Sequence, residues 1–202
     1  MEIFTFEQGS EEWHKAKLGV VSTSNFDKVL NKGSGRGLYM RKLAAERLTG
    51  ITQVEYSNVN MENGLEIEPQ AREYYEGLKD CLVEQVGFVK RDDWVGTSPD
   101  GLVGNDGLIE IKCPIPSTHI DNILKAKMPV CYRPQVQGQL WVTERKWCDW
   151  ISYSPTIKDR PFSSVRVFRE EEYIAKELAI KVVMFVNELK EMIDKITNGI
   201  EF

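Results

Sequence analysis

The sequence is poor in the residues that build the commoner metal and disulfide sites. Its four cysteines, Cys81, Cys113, Cys131 and Cys148, stand far apart with no CxxC pair, so nothing has the spacing of a zinc or iron-sulfur site. They are expected as buried free thiols of a reducing compartment. Only His14 and His119 supply imidazole, which argues against histidine-rich metal chemistry. No apolar run is long enough to span a bilayer, and "MEIFTFEQGSEEW" lacks the basic-then-apolar order of a secretion signal. A cytoplasmic location without membrane contact is the expectation. Basic residues are also in deficit, 26 Lys and Arg against 31 Asp and Glu. This excludes a protein that coats nucleic acid with its whole surface, but not an enzyme that holds it in a local basic channel. Lys32, Arg36, Arg41, Lys42 and Arg47 gather in one segment with a single acid, Glu46.

What is present reads as one globular domain over residues 1–202, with 42% hydrophobic and 28% charged residues and enough chain for a sizeable core. "GSEEWHKAKLG" predicts a short helix capped by Ser10 and ended by Gly19. "TSNFDKVLN" predicts a second, and the flexible "KGSGRG" precedes a third from Leu38 to Leu48, stopped by Gly50. In "MENGLEIEPQAREYYEGL", Ile67, Ala71, Tyr74, Tyr75 and Leu78 form a helical stripe and Glu68 shares a face with Ala71 and Tyr75. Pro69 is expected to start or kink that helix. Strands are expected within 82–113, then helices near 117–127 and 132–143, strands near 147–153 and 163–168, and a long helix over about 170–197. The order gives an α/β (α+β) domain.

Within "VGTSPDGLVGNDGLIEIKCP" the strand "LIEIKC" places Glu110 and Lys112 on one face and Ile109, Ile111 and Cys113 on the other. An edge strand with a solvated face would look the same. The sharper reading is a metal-dependent nuclease. "NDG" marks a hairpin turn, which folds Asp100 back beside Glu110, so that both carboxylates could hold one Mg²⁺. Lys112 would then position or deprotonate the attacking water, or stabilise the pentavalent phosphate. Two adjacent acids repel unless a cation neutralises them.

"SPDG" followed by "EIKCP" has the form of the PD-(D/E)xK nuclease motif. Five segments, "EEWHKAKLGVVSTS", "GLEIEPQARE", "GTSPDGL", "EIKCP" and "YRPQVQGQLWVT", occur in an order that resembles the phage lambda exonuclease and YqaJ-type viral recombinase family along most of the chain. The resemblance implies a restriction-endonuclease-like core with a central mixed sheet flanked by helices. It implies an Mg²⁺-dependent 5′-to-3′ exonuclease on linear double-stranded DNA, with Mn²⁺ as a substitute metal, in a phage or prophage protein of a bacterial host. Asp100, Glu110 and the Ile111 carbonyl match its metal ligands, Lys112 its catalytic lysine, and Glu68 its helix carboxylate. Ser24, Ser98 and Gln135 match its 5′-phosphate contacts, and Tyr132 and Gln137 are expected near the site. Lys17 stands where lambda exonuclease has an arginine, so the bidentate fork is lost. On the residues alone, the serines read equally as caps and the glutamines as surface amides. The family further implies a ring-shaped homotrimer around DNA, with Lys32, Arg36, Arg41 and Lys42 lining its channel, and a single-strand annealing recombinase as partner. A restriction or repair endonuclease on the same fold and a DNA-end-binding module with a silent site are the alternatives. The five tryptophans, Trp13, Trp94, Trp141, Trp147 and Trp150, are expected in the core, with Trp13 a candidate wedge at the duplex end.

Overall fold

The protein is described by a computed structural model that covers residues 1–53 and 59–199, the side chains of 59–65 excepted. Its strands are β1 (Glu2–Phe4), β2 (Val21–Ser22), β3 (Val83–Glu84), β4 (Phe88–Lys90), β5 (Val95–Thr97), β6 (Gly101–Val103), β7 (Gly107–Lys112), β8 (Trp147–Tyr153) and β9 (Phe162–Phe168). Its helices are α1 (Glu11–Lys17), α2 (Phe26–Leu30), α3 (Ser34–Thr49), α4 (Val59–Lys79), α5 (Pro116–Lys125), α6 (Arg133–Thr143), α7 (Glu171–Tyr173) and α8 (Ala179–Asn198). The expected mixed sheet is the five-stranded one, ordered β3-β6-β7-β8-β9, and a four-stranded sheet ordered β1-β4-β5-β2 accompanies it. In the larger sheet β7 and β8 run parallel and the other neighbours antiparallel. The fold is thus mixed α/β, with both sheets flanked by helices.

Both faces of β7 are covered. Leu108 packs in a large core with Val136 and Leu140 of α6 and Trp150 of β8, whereas Ile109 and Ile111 pack with Ala71 and Tyr75 of α4. Each fully buried aliphatic of this kind contributes roughly 1.5–3 kcal/mol. Glu110 shares the Leu108 face by strand alternation, so it points into the layer beneath α6. Only 2% of it is exposed, which rules out the solvated edge-strand reading.

Several sequence expectations shift by identifiable causes. The third helix begins at Ser34, so "SGRG" is helical. Its buried residues include Tyr39, Met40, Leu43 and Ala44, while Leu38 and Leu48 are exposed. Packing of that face offsets the roughly 1 kcal/mol each interior glycine costs a helix. Pro69 lies inside α4 and does not start it. The stretch "LVEQVGFV" is divided, with Val83–Glu84 in the larger sheet and Phe88 in the smaller one. Between them Gly87 passes so close to Phe6 that a Cβ would lie 2.1 Å from the Phe6 carbonyl oxygen. The hairpin loop is Gly104–Asp106, with Gly104 in the left-handed region at φ 52° and Val103 paired with Gly107. The final helix contains a π-helical segment, Ile174–Leu178. The thiols are free, yet Cys131 is exposed and only Cys148 is fully buried. Trp150 and Trp141 are core residues as expected, whereas Trp13 is half-buried.

Candidate active site

Asp100 sits between β5 and β6, and the hairpin brings it to the start of the path the sequence anticipates. Its Oδ2 accepts the Ile111 N–H at 2.6 Å. A strand residue's N–H and C=O point to the same side, so the Ile111 carbonyl also faces the Asp100 side, beyond the end of the β6 pairing. Across this edge Glu110 is clamped. Its Oε1 accepts from Lys112 Nζ at 2.5 Å and from Gln135 Nε2 at 2.6 Å, and its Oε2 accepts from Gln139 Nε2 at 2.5 Å. Gln135 and Gln139 stand one helical turn apart on α6, which is why both reach one carboxylate. The i,i+4 spacing in "QVQGQ" could have revealed Gln139, but a glutamine in a helix reads as a surface amide. It is fully buried, and its Oε1 has no partner among the described residues.

Gln137, two residues on from Gln135, points the other way. Its amide donates to the Phe168 carbonyl at 2.9 Å and accepts the Glu170 N–H at 2.9 Å, so the structure does not bring it to the carboxylates. Tyr132 is brought there: Lys112 Nζ lies 5.2 Å from its ring centroid, and the ring packs on Trp150. Glu68 approaches from α4. Its Oε1 accepts from Arg72 at 2.6 Å, and Arg72 also donates to the Asp100 carbonyl at 3.1 Å. Arg72 was missed in the sequence, although it lies one turn from Glu68. A buried Asp149 holds α4 in place, accepting the Tyr75 hydroxyl at 2.8 Å and both Arg166 donors at 2.8 Å.

The remaining candidates gather at the adjoining end of β5. Trp13 Nε1 donates to Ser98 Oγ at 2.9 Å, and Lys17 Nζ stands 3.6 Å over the Trp13 ring. Thr23 and Thr97 share a hydroxyl hydrogen bond of 2.6 Å, tying the turn that carries the exposed Ser24 to the strand end that leads to Ser98. Gly138 lets α6 abut that turn, since a Cβ there would lie 2.6 Å from Phe26. Among the channel candidates, Arg36 is engaged by Glu188 in a bidentate pair at 2.7 and 2.9 Å.

The electrostatics are those of crowded acids. Burial, then the charges of Glu110 and Glu68, hold the Asp100 carboxyl well above the usual aspartate range. Burial likewise raises Glu68, partly opposed by Arg72. Burial pulls the Lys112 ammonium down, but Glu110 and Asp100 outweigh it and hold the group above its ordinary value. Cys113 is pushed up to about 11 by burial and by the Glu68 and Asp100 charges. Among the described residues no three His, Cys, Asp or Glu side chains form a closed metal cage. The donors facing one another are two carboxylates and a backbone carbonyl. Such hard oxygens, with places left for water, suit Mg²⁺ or Mn²⁺, and the repulsion that raises Asp100 is what a bound cation would relieve.

Comparison with known proteins agrees with this geometry. A family model, the YqaJ-like viral recombinase domain, matches residues 12–146. An alkaline exonuclease (LHK-Exo) from Laribacter hongkongensis is 38% identical, over 94% of this chain and 97% of that one, with a TM-score of 0.88; its complex with dAMP superposes with a TM-score of 0.89. A phage-related exonuclease from Haemophilus somnus 129PT, 16% identical over 89% of this chain and 95% of its own, shares the fold with a TM-score of 0.69. No curated protein matches. With the family model covering two thirds of its length and a solved relative at 38% identity over nearly all of it, the chain belongs to the YqaJ-like viral recombinase domain family.

Proposed function

We propose that the protein is a metal-dependent exonuclease that degrades one strand of linear double-stranded DNA from its 5′ end, leaving 3′ single-stranded tails for a single-strand annealing recombinase. The observation that carries the reading is the hairpin edge. Asp100 accepts the Ile111 N–H on the strand that carries Glu110, and Lys112 is hydrogen-bonded to that acid. The relative named an alkaline exonuclease, also solved with dAMP, supports it. No helix among the described residues is long and apolar enough to cross a membrane.

Asp100, Glu110 and the Ile111 carbonyl would hold Mg²⁺, or Mn²⁺ in its place, which supplies a bound water of lowered pKa and a Lewis acid for a phosphate oxygen. Lys112, hydrogen-bonded to Glu110, would position or deprotonate the attacking water, or stabilise the pentavalent phosphate as a cationic donor. Gln135 and Gln139 hold the Glu110 oxygens in one rotamer, and Arg72 does the same for Glu68. Ser98, its oxygen already accepting from Trp13, keeps its own proton for a phosphate. With Ser24 and Lys17 it would grip the 5′ end, and Gln135 would join them by leaving Glu110. A homotrimeric ring would add processivity, with Lys32, Arg41 and Lys42 toward the DNA.

The test is digestion of end-labelled linear duplexes with 5′-phosphate or 5′-hydroxyl ends, beside a closed circle, with Mg²⁺, Mn²⁺ or chelator. Metal-dependent release of 5′ mononucleotides from linear DNA alone, faster from phosphorylated ends, is expected. Cutting of the circle would replace the exonuclease by an endonuclease, and binding without turnover would leave a DNA-end module. Gln139→Leu provides a second check. Loss of an outer partner of a ligand costs about 10–100-fold in metal affinity or activity, so a Mg²⁺ titration should show a correspondingly higher half-saturating concentration. An unchanged titration would reduce Gln139 to packing.

A further inference from the structure

A groove of about 450 Å³ opens beside Lys112, between α5 and the segment leading into α6. Its walls include Lys112, Tyr132, Lys125, Lys127 and Val130. Lys125 is paired with Asp121 at 2.5 Å, whereas Lys127 is exposed and makes no contact with a charged or polar group among the described residues. Val130 is 79% exposed, an apolar rim directly beside a cationic one. Between the two lysines Ala126 ends α5 in the left-handed region at φ 47°, a conformation non-glycine residues seldom adopt. Lys127, Val130 and the Ala126 turn have no part in the carboxylate edge, which the groove adjoins through Lys112 and Tyr132.

The position of the groove gives it a direction. Ser98 and Lys17 lie on the Asp100 side of β7, whereas α5 packs on β8, the strand beyond β7 on the other side. A strand whose 5′ phosphate sits near Ser98 and whose scissile phosphate sits at Glu110 and Lys112 therefore leaves across the groove. An aromatic face, an apolar rim and uncompensated ammonium are the combination that holds an unpaired strand: bases lie on Tyr and Val, phosphates on Lys. We infer that this groove binds the nucleotides immediately 3′ of the cut, with Lys127 on their phosphate and Val130 against a base. The inference rests on the nuclease reading and adds a substrate subsite to it.

The experiment measures binding of 5′-phosphorylated single strands, from two to eight nucleotides, in chelator, to wild type, Lys127→Ala and Val130→Asp. Both positions are exposed, so the fold is not at stake, and melting temperatures check this. Wild-type affinity should climb with the nucleotides added beyond the second. In Lys127→Ala that climb should shrink, and the slope of log K against log salt should fall by about 0.7. Val130→Asp, which sets a carboxylate on the same rim, should weaken binding further. If both variants keep the wild-type length dependence and salt slope while wild type digests DNA, the groove is not the path of the strand and the nuclease reading stands. If wild type neither binds nor digests DNA, both fall together.

Discussion

Lys112→Met is expected to lower nuclease turnover by about 10²–10⁴-fold, the range for loss of a positioned acid or an electrostatic donor in a dry site. Methionine keeps the length and the apolar stem that passes Tyr132, but removes the ammonium hydrogen-bonded to Glu110. Arg72, on α4, is engaged by Glu68 and the Asp100 carbonyl. Those two bonds tie its fork to α4 and the Asp100 turn, so it is not placed to replace the Lys112 ammonium at Glu110. Single-turnover rates at saturating Mg²⁺, beside a thermal melt, make the measurement. A variant retaining a tenth of wild-type turnover would move the cationic role away from Lys112.

Asp100→Asn should separate activity from stability in opposite directions. In the metal-free protein the Asp100 carboxyl is held well above its ordinary value by burial and by Glu110 and Glu68. The folded chain therefore keeps a proton that the unfolded chain releases near the ordinary aspartate value of about 3.9. Above that pH the unfolded state binds fewer protons, so stability falls as pH rises until the folded carboxyl has also ionised. Asparagine retains an oxygen for the Ile111 N–H but carries no charge. The variant should melt higher than metal-free wild type at pH 8, by about 2–4 °C for each kcal/mol recovered, with a flatter pH profile. Mg²⁺ should raise the wild-type melting temperature and leave that of the variant nearly unmoved. Turnover should drop by roughly 10³-fold or more, because metal chemistry supplies several kcal/mol. Parallel pH profiles for the two proteins would remove the electrostatic argument.

The local pattern made the acid–lysine strand legible, because period-two alternation fixes which side chains share a face whatever the fold around them. It could not say that both faces are buried, which depends on α4 and α6 arriving from distant sequence. The same distance explains Gln137. Three glutamines at alternate positions look like one group in the sequence, but at 3.6 residues per turn the middle one faces the opposite side, where Phe168 and Glu170 receive it. Gln139 went unrecognised because nothing in its type marks it as buried. The start of α3 was obscured by glycines whose preference is overruled by packing of Tyr39 and Met40. Glu68 read as an inward acid from its stripe alone, and Arg72, which holds it, was visible only by counting one further turn.

The Gly104–Asp106 loop lies at the far end of the hairpin from the acids. The Arg145 guanidinium donates to the carbonyls of Gly104 and Gly107 at 2.7 and 2.5 Å, and the Asp106 carbonyl accepts the Lys146 N–H at 2.8 Å. Asn105, exposed between these anchored neighbours, is thus a tip on a rigid stalk. Five residue steps of β7, about 17 Å, separate Gly107 from Lys112. A dye or surface tether attached at position 105 would move with β7 as one body, about 17 Å from Lys112. On the proposed function it would report the motion of the strand that carries Glu110 and Lys112 without being attached beside them.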